Sequence, residues 1–162
     1  MVHGSGADAT HLRSRTVVIP KAPPSSLLPN RSQRRGGWHA RVAAAREMRE
    51  MSNHYARQAL FEDRDQDIVP YKGRVVVDVS IGWPPRRKTV DFDAAVSCLK
   101  PLLDGLTDAG WWMDDRQVVG MSVRQARSLT VTGHVAITVR EGGDIDAREE
   151  DAEEGKDVPE LR

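Results

Sequence analysis

The clearest pattern along the chain is an alternation of apolar and polar residues near its middle. Val75, Val77, Val79 and Ile81 fall on one side of an extended backbone, while Asp78 and Ser80 fall on the other. A period of two is typical of a strand with one buried face. We therefore predict a strand here that ends at residues 83–85 (WPP).

Three other apolar runs predict further strands. Residues 16–19 are a short run, mostly β-branched, that Pro20 ends, and Val119, Met121 and Val123 alternate with other residues. Residues 129–140 predict a fourth strand, with an apolar face formed by Leu129, Val131, Val135, Ile137 and Val139.

Two segments have the helical spacing of three and four residues. In residues 38–61 the mostly apolar face is Trp38, Val42, Ala45, Met48, Ser52, Tyr55 and Ala59. In residues 93–109 the buried stripe is Ala95, Cys98, Leu99, Leu102, Leu103 and Leu106. Gly110 is placed to end the second helix, and Pro101 predicts that this helix is kinked or begins later.

Strands on both sides of two helices predict one small mixed α/β (α+β) domain, with a sheet of about four strands and two main helices packed on it. A chain of 162 residues suits a single domain. We assign residues 1–14 to a flexible segment, 15–140 to the folded domain, and 141–162 to a disordered acidic tail.

Composition excludes several classes of protein. The chain lacks a run of about 18 apolar residues, so we expect no membrane span. It also lacks a basic start followed by an apolar segment and a small-residue cleavage site, so we expect no secretory signal. The single cysteine, Cys98, excludes an intrachain disulfide framework and a multi-cysteine zinc site. We expect a cytoplasmic protein in which Cys98 is a small buried apolar residue.

The net charge of zero hides a strong asymmetry. The tail from residue 141 carries ten acidic and three basic residues, whereas residues 9–46 carry eight basic residues and no acidic one. Such a basic surface favours a polyanionic partner such as nucleic acid. The alternative is solvated arginines with a solubilising tail.

Four aspartates flank the second helix. Asp91 and Asp93 precede it or begin it, and Asp114 and Asp115 follow it. If the strands on either side of the helix are neighbours, the four carboxylates converge. Clustered carboxylates suit Mg²⁺, or Mn²⁺ as a substitute, and such sites perform phosphoryl chemistry.

Lys100 has the spacing to share a helical stripe with Asp93, Ser97 and Asp104, from which it would contact a phosphate. Structural alternatives stay open for each of these residues. Asp93 also suits a helix N-cap, residues 114–115 suit a turn, and Lys100 with Asp104 suits a surface ion pair.

The order of these residues resembles the RusA family of Holliday junction resolvases, in particular its phage-type members. The matching segments are 91–93 (DFD), 100–106 (KPLLDGL) and 108–115 (DAGWWMDD), with 23–25 (PPS) and 29–31 (PNR) upstream. The resemblance implies a homodimeric, Mg²⁺-dependent endonuclease that nicks two strands of a four-way DNA junction symmetrically. It implies catalytic roles for Asp91, Asp93, Asp115 and Lys100, and metal ligation by Asp91, Asp93 and Asp115, with Asp114 as a further ligand.

One departure from the family pattern matters, because Ala94 stands where the family usually has Asn. The alternative is therefore a relative that binds branched DNA without cutting it. The residues that we expect to contact DNA are Asn30, Arg31, Arg34, Arg35, Arg86, Arg87 and Lys88. Trp83, Trp111 and Trp112 either pack in the core, which we favour, or wedge against unstacked bases.

Overall fold

The computed structural model describes residues 14–29, 37–62, 70–88 and 90–142. Its strands are β1 (Ser14–Ile19), β2 (Val75–Trp83), β3 (Val118–Arg127) and β4 (His134–Glu141). Its α-helices are α1 (Gly37–Glu62), α2 (Phe92–Ser97) and α3 (Lys100–Asp108). None of the described helices is long and apolar enough to cross a membrane.

The four strands form one mixed sheet in the order β1-β4-β2-β3. β4 is antiparallel to both β1 and β2, whereas β2 and β3 are parallel. Parallel neighbours need a crossover connection, and α2 and α3 provide it. The predicted mixed α/β domain of about four strands is thus confirmed.

The core lies between one face of the sheet and the helices. Alternate residues of the central strands are buried, among them Val77, Val79 and Ile137, as the period of two predicts. From the helices, Met48, Leu102 and Leu106 pack against them. The opposite sheet face is polar, with Asp78 held by Ser122 and Arg140.

α3 packs closely on α1 through a glycine. The Ser52 hydroxyl donates a buried hydrogen bond of 2.7 Å to the Leu102 carbonyl. A Cβ added at Gly105 would lie 2.6 Å from the Arg49 carbonyl oxygen. The helix axes can therefore approach at this point only because residue 105 has no side chain.

The second predicted helix is broken, as Pro101 implied. α2 ends at Ser97, and α3 begins at Lys100 with the proline in its first turn, where the missing N–H leaves no bond unmade. At its end, Gly110 has φ +81 and donates to the Thr107 carbonyl, and Trp111 donates to the Leu106 carbonyl. This is a Schellman motif, so the predicted stop at Gly110 is confirmed.

Two predictions about apolar faces are wrong. Leu129 and Val131 are 101% and 88% exposed, because β4 begins only at His134, after a turn that contains Gly133 at φ +69. Trp38 and Val42 are 66% and 45% exposed. The first turns of α1 carry no residue of the buried stripe, whose members are Ala44, Met48, Ser52, Ala56 and Leu60.

Candidate functional site

Asp91 and Asp93 lie at the start of α2, and both are exposed. Asp91 is the N-cap residue, but its side chain makes no capping hydrogen bond. Asp93 lies in the first helical turn, so the two residues do not belong to one extended segment, in which side chains two residues apart project to the same side. Neither carboxylate has a hydrogen-bond partner within the described part of the chain, and each is therefore available to a ligand.

Lys100 begins α3, and its ammonium donates to Asp104 Oδ1 at 2.9 Å. The break before α3 separates these two residues from Asp93 and Ser97, so the single predicted stripe is divided between two helices. The hydrogen bond and charge of Asp104, with a smaller effect of Asp115, raise the pKa of Lys100. Lys100 therefore stays cationic, which suits a group that stabilises negative charge.

Asp115 lies against the last turn of α3. Its Oδ1 accepts hydrogen bonds from the Thr107 hydroxyl at 2.8 Å and from Trp112 Nε1 at 3.5 Å. Asp115 therefore lies at the end of α3, whereas Lys100 lies at its start, and only a small charge effect of Asp115 on the pKa of Lys100 links the two.

Asp114 has a local role instead. Its carboxylate accepts from the Arg116 amide at 2.8 Å, and the Gln117 side chain accepts from the Asp114 amide in return. This reciprocal capping box holds the short 3-10 turn before β3. The turn interpretation of residues 114–115 is correct for Asp114.

The direction of β3 keeps the two pairs of aspartates apart. β2 and β3 are neighbours, which was the condition for convergence, but they are parallel, with Val75 opposite Val118 and Trp83 opposite Arg127. The chain leaves the C-terminal end of β2 towards Asp91. It enters the N-terminal end of β3 from Asp115, and in parallel neighbours these two ends lie at opposite ends of the strands. α3 alone, with nine residues, spans about 13 Å of that distance.

The carboxylates accordingly form no closed ligand cluster in the described residues. Within residues 14–29, 37–62, 70–88 and 90–142, no three His, Cys, Asp or Glu side chains are placed to hold one metal ion. The oxygen donors at Asp91 and Asp93 suit a hard cation in their chemistry. Convergence of all four carboxylates within one chain is an expectation that this geometry does not meet.

A second ion pair joins α1 to α3. Arg49 on α1 makes two hydrogen bonds to the Asp108 carboxylate, at 2.6 and 2.8 Å. The hydrogen bond and charge of Arg49 hold the pKa of Asp108 below its usual range. This bidentate pair links α1 to the end of α3, next to Asp115.

The predicted DNA-contacting residues fall into two groups. Arg86, Arg87 and Lys88 follow the two prolines at the end of β2, so three cations lie close in the sequence before Asp91. Arg87 is anchored, because its guanidinium lies 4.4 Å from the centre of the Trp83 ring and donates to the Pro23 carbonyl at 2.6 Å. The others lie outside the described residues: Asn30, Arg31, Arg34 and Arg35.

Sequence reasoning missed two polar residues near this basic segment. Gln125 and Arg127, near the C-terminal end of β3, line the same pocket as Trp83, Arg87 and Lys88. Their alternate positions on a strand next to β2 were a usable signal, but only once β3 was known to be parallel to β2. Trp83, Trp111 and Trp112 are almost fully buried, which confirms the packing interpretation.

No protein-family model matches the chain, and no curated protein matches it. The resemblance to RusA resolvases therefore rests on the residues of the motif.

Proposed function

We propose that this protein is a Mg²⁺-dependent endonuclease that acts on branched DNA, as the RusA-like motif implies. The observation that carries the proposal is the position of Asp91 and Asp93. Both are exposed and without a hydrogen-bond partner among the described residues, between the cations of residues 86–88 and Lys100. Partnerless carboxylates flanked by cations suit a site that holds a metal ion and a phosphodiester together.

The roles follow from the chemistry of each side chain. Asp91 and Asp93 would hold the ion, and Asp115 is the third carboxylate that the motif supplies. An ion held there would supply Lewis-acid chemistry, which polarises a phosphodiester oxygen and activates a water molecule. Lys100, kept protonated by Asp104, is suited to stabilise the charge that develops on the phosphate. Arg86 and Lys88 would contact phosphates of the strand that approaches Asp91.

Cleavage of a four-way DNA junction tests this proposal. The purified protein is incubated with a labelled junction and Mg²⁺ or Mn²⁺, and we expect symmetric nicks. Asp91→Asn should abolish cutting and retain junction binding, because it removes a ligand charge and leaves the basic segment intact. Glu50→Gln is the matched control, since that carboxylate pairs with Arg46 on the exposed surface of α1, away from the candidate site. Normal cutting by Asp91→Asn would refute the site.

The second candidate is a protein that binds branched DNA and does not cut it. Ala94 and the separation of Asp91 from Asp115 favour it. It predicts junction binding without nicks in either metal, and no heat of Mg²⁺ or Mn²⁺ binding by calorimetry. Binding that does not weaken with salt would contradict both candidates, because phosphate contacts release counterions.

A further inference from the structure

A pocket of about 300 Å³ opens at the end of the sheet where β2 and β3 finish. Its walls are Trp83, Arg87, Lys88, Val90, Gln125, Ala126 and Arg127. Val90 directly precedes Asp91, so the pocket adjoins the proposed metal site in the chain. This volume lies at the lower limit of sites for small ligands, about 300–1,000 Å³.

Every polar side chain that lines the pocket presents hydrogen-bond donors. The Trp83 indole, which can only donate, bonds Gln125 Oε1 at 2.6 Å, so the amide group of Gln125 keeps its N–H donors for a ligand. Arg127 donates to the Pro85 carbonyl at 2.9 Å, which fixes its guanidinium at the rim. Lys88 and Arg87 add two further cations, and no carboxylate is among the lining residues.

A pocket whose polar side chains present hydrogen-bond donors favours a ligand that is rich in hydrogen-bond acceptors. Phosphate oxygens accept hydrogen bonds from guanidinium, ammonium and amide groups, and the positive charge here favours an anion. Arg87 and Arg127 are also partly fixed before binding, by the Trp83 ring and by backbone carbonyls, so less side-chain entropy is lost when a ligand orders them.

We propose that this pocket binds the backbone phosphate of a nucleotide next to the scissile phosphodiester, and so positions the DNA strand against Asp91 and Asp93. That the bound phosphate belongs to the DNA strand being cut rests on the proposed function. The pocket itself requires only a phosphate attached to a nucleoside, and its binding does not depend on a metal.

The first test uses the full-length protein and a thymidine dinucleotide joined by one phosphodiester, followed by ¹⁵N NMR without metal. We expect saturable shifts of the Trp83 indole N–H and the Gln125 side-chain amide. Arg127→Gln should weaken binding by about tenfold, the loss expected for one charge-assisted hydrogen bond. Arg124→Gln is the matched control on the same strand, because Arg124 lies on the opposite face with Asp78 and Ser122. It should change binding less than twofold.

Inorganic phosphate and thymidine, measured separately, test whether the pocket needs both the phosphate and the nucleoside of the dinucleotide. We expect both to bind much more weakly than the dinucleotide. Equal affinity for inorganic phosphate would overturn the assignment to a nucleic acid strand. Absence of any shift, or equal weakening by the two arginine variants, would overturn the pocket.

The second test measures how the affinity for a four-way junction depends on salt, again without metal. The slope of log K against log salt is negative, and loss of one phosphate contact decreases its magnitude by about 0.9. We expect that decrease for Arg127→Gln and an unchanged slope for Arg124→Gln. An unchanged slope for Arg127→Gln, with cleavage still dependent on Asp91, would refute phosphate binding by the pocket but not the proposed nuclease activity. Dinucleotide binding without any junction cleavage would refute the nuclease and leave the pocket.

Discussion

The substitution Gly105→Ala tests whether close packing of α1 and α3 holds the candidate site in place. The new Cβ would lie 2.6 Å from both the Arg49 carbonyl oxygen and the Ser52 Cβ, and 3.0 Å from the Asn53 amide nitrogen. Carbon atoms pack best at about 3.5–4.0 Å, so the helices would have to separate locally by about 1 Å. Two of the three obstructing atoms belong to the backbone of α1, and no rotamer change relieves them.

The magnitude follows from two opposing effects. Overpacking of a well-packed contact costs about 1–3 kcal/mol, and alanine in place of glycine in a helix returns about 1 kcal/mol. Separation of the helices would also stretch the buried hydrogen bond from Ser52 to the Leu102 carbonyl. We expect a net loss of about 1–2 kcal/mol in the free energy of unfolding, which for a chain of this length corresponds to about 2–8 °C in Tm.

Urea and thermal unfolding, followed by circular dichroism, measure this loss. Gly73→Ala is the matched control, because a Cβ at residue 73 meets no atom within 4 Å and its φ is not positive. It should leave the stability within about 0.5 kcal/mol of the parent protein. If Gly105→Ala proves as stable as Gly73→Ala, the helices do not approach as described, and the packing argument fails.

Two further predictions concern residues that flank α3. Gly110→Ala should cost about 1–2 kcal/mol, because alanine is disfavoured at φ +81; equal Tm values for variant and parent would contradict the Schellman geometry. Burial raises the pKa of the Cys98 thiol to about 11. Since the raised pKa favours the neutral thiol in the fold, its contribution to stability is complete below the ordinary value near 9 and is lost as the pH rises towards 11. Iodoacetamide at pH 8 should label Cys98 slowly until urea unfolds the chain, and rapid labelling of the folded protein would refute its burial.

Local patterns were sufficient for much of the fold. The alternation of Val75, Val77 and Val79 predicted a strand with one buried face, because a strand exposes its residues to the two sides in turn. Pro101 and Gly110 marked the beginning and end of α3, because each acts through the backbone of its own turn. These features depend on residues within a few positions and are therefore legible in the sequence.

Apolar residues without a partner element misled the same reasoning. Leu129 and Val131 continue the alternation of β4, but neither is paired or covered. The Ser128 hydroxyl accepts from the Thr130 amide at 3.1 Å and stabilises a turn there instead. Periodicity reports which residues share a side, and burial depends on whether another element covers that side.

The residues of the candidate site were present in the sequence, but their arrangement was not. Exposed acids at the start of α2 and a lysine at the start of α3 follow from local spacing. The parallel pairing of β2 with β3 decided their arrangement. It placed Asp115 at the end of the strands opposite to the C-terminal end of β2. It also placed Gln125 and Arg127 beside Trp83. A helical connection between two strands favours parallel pairing, but which strands become neighbours is decided by contacts between distant segments.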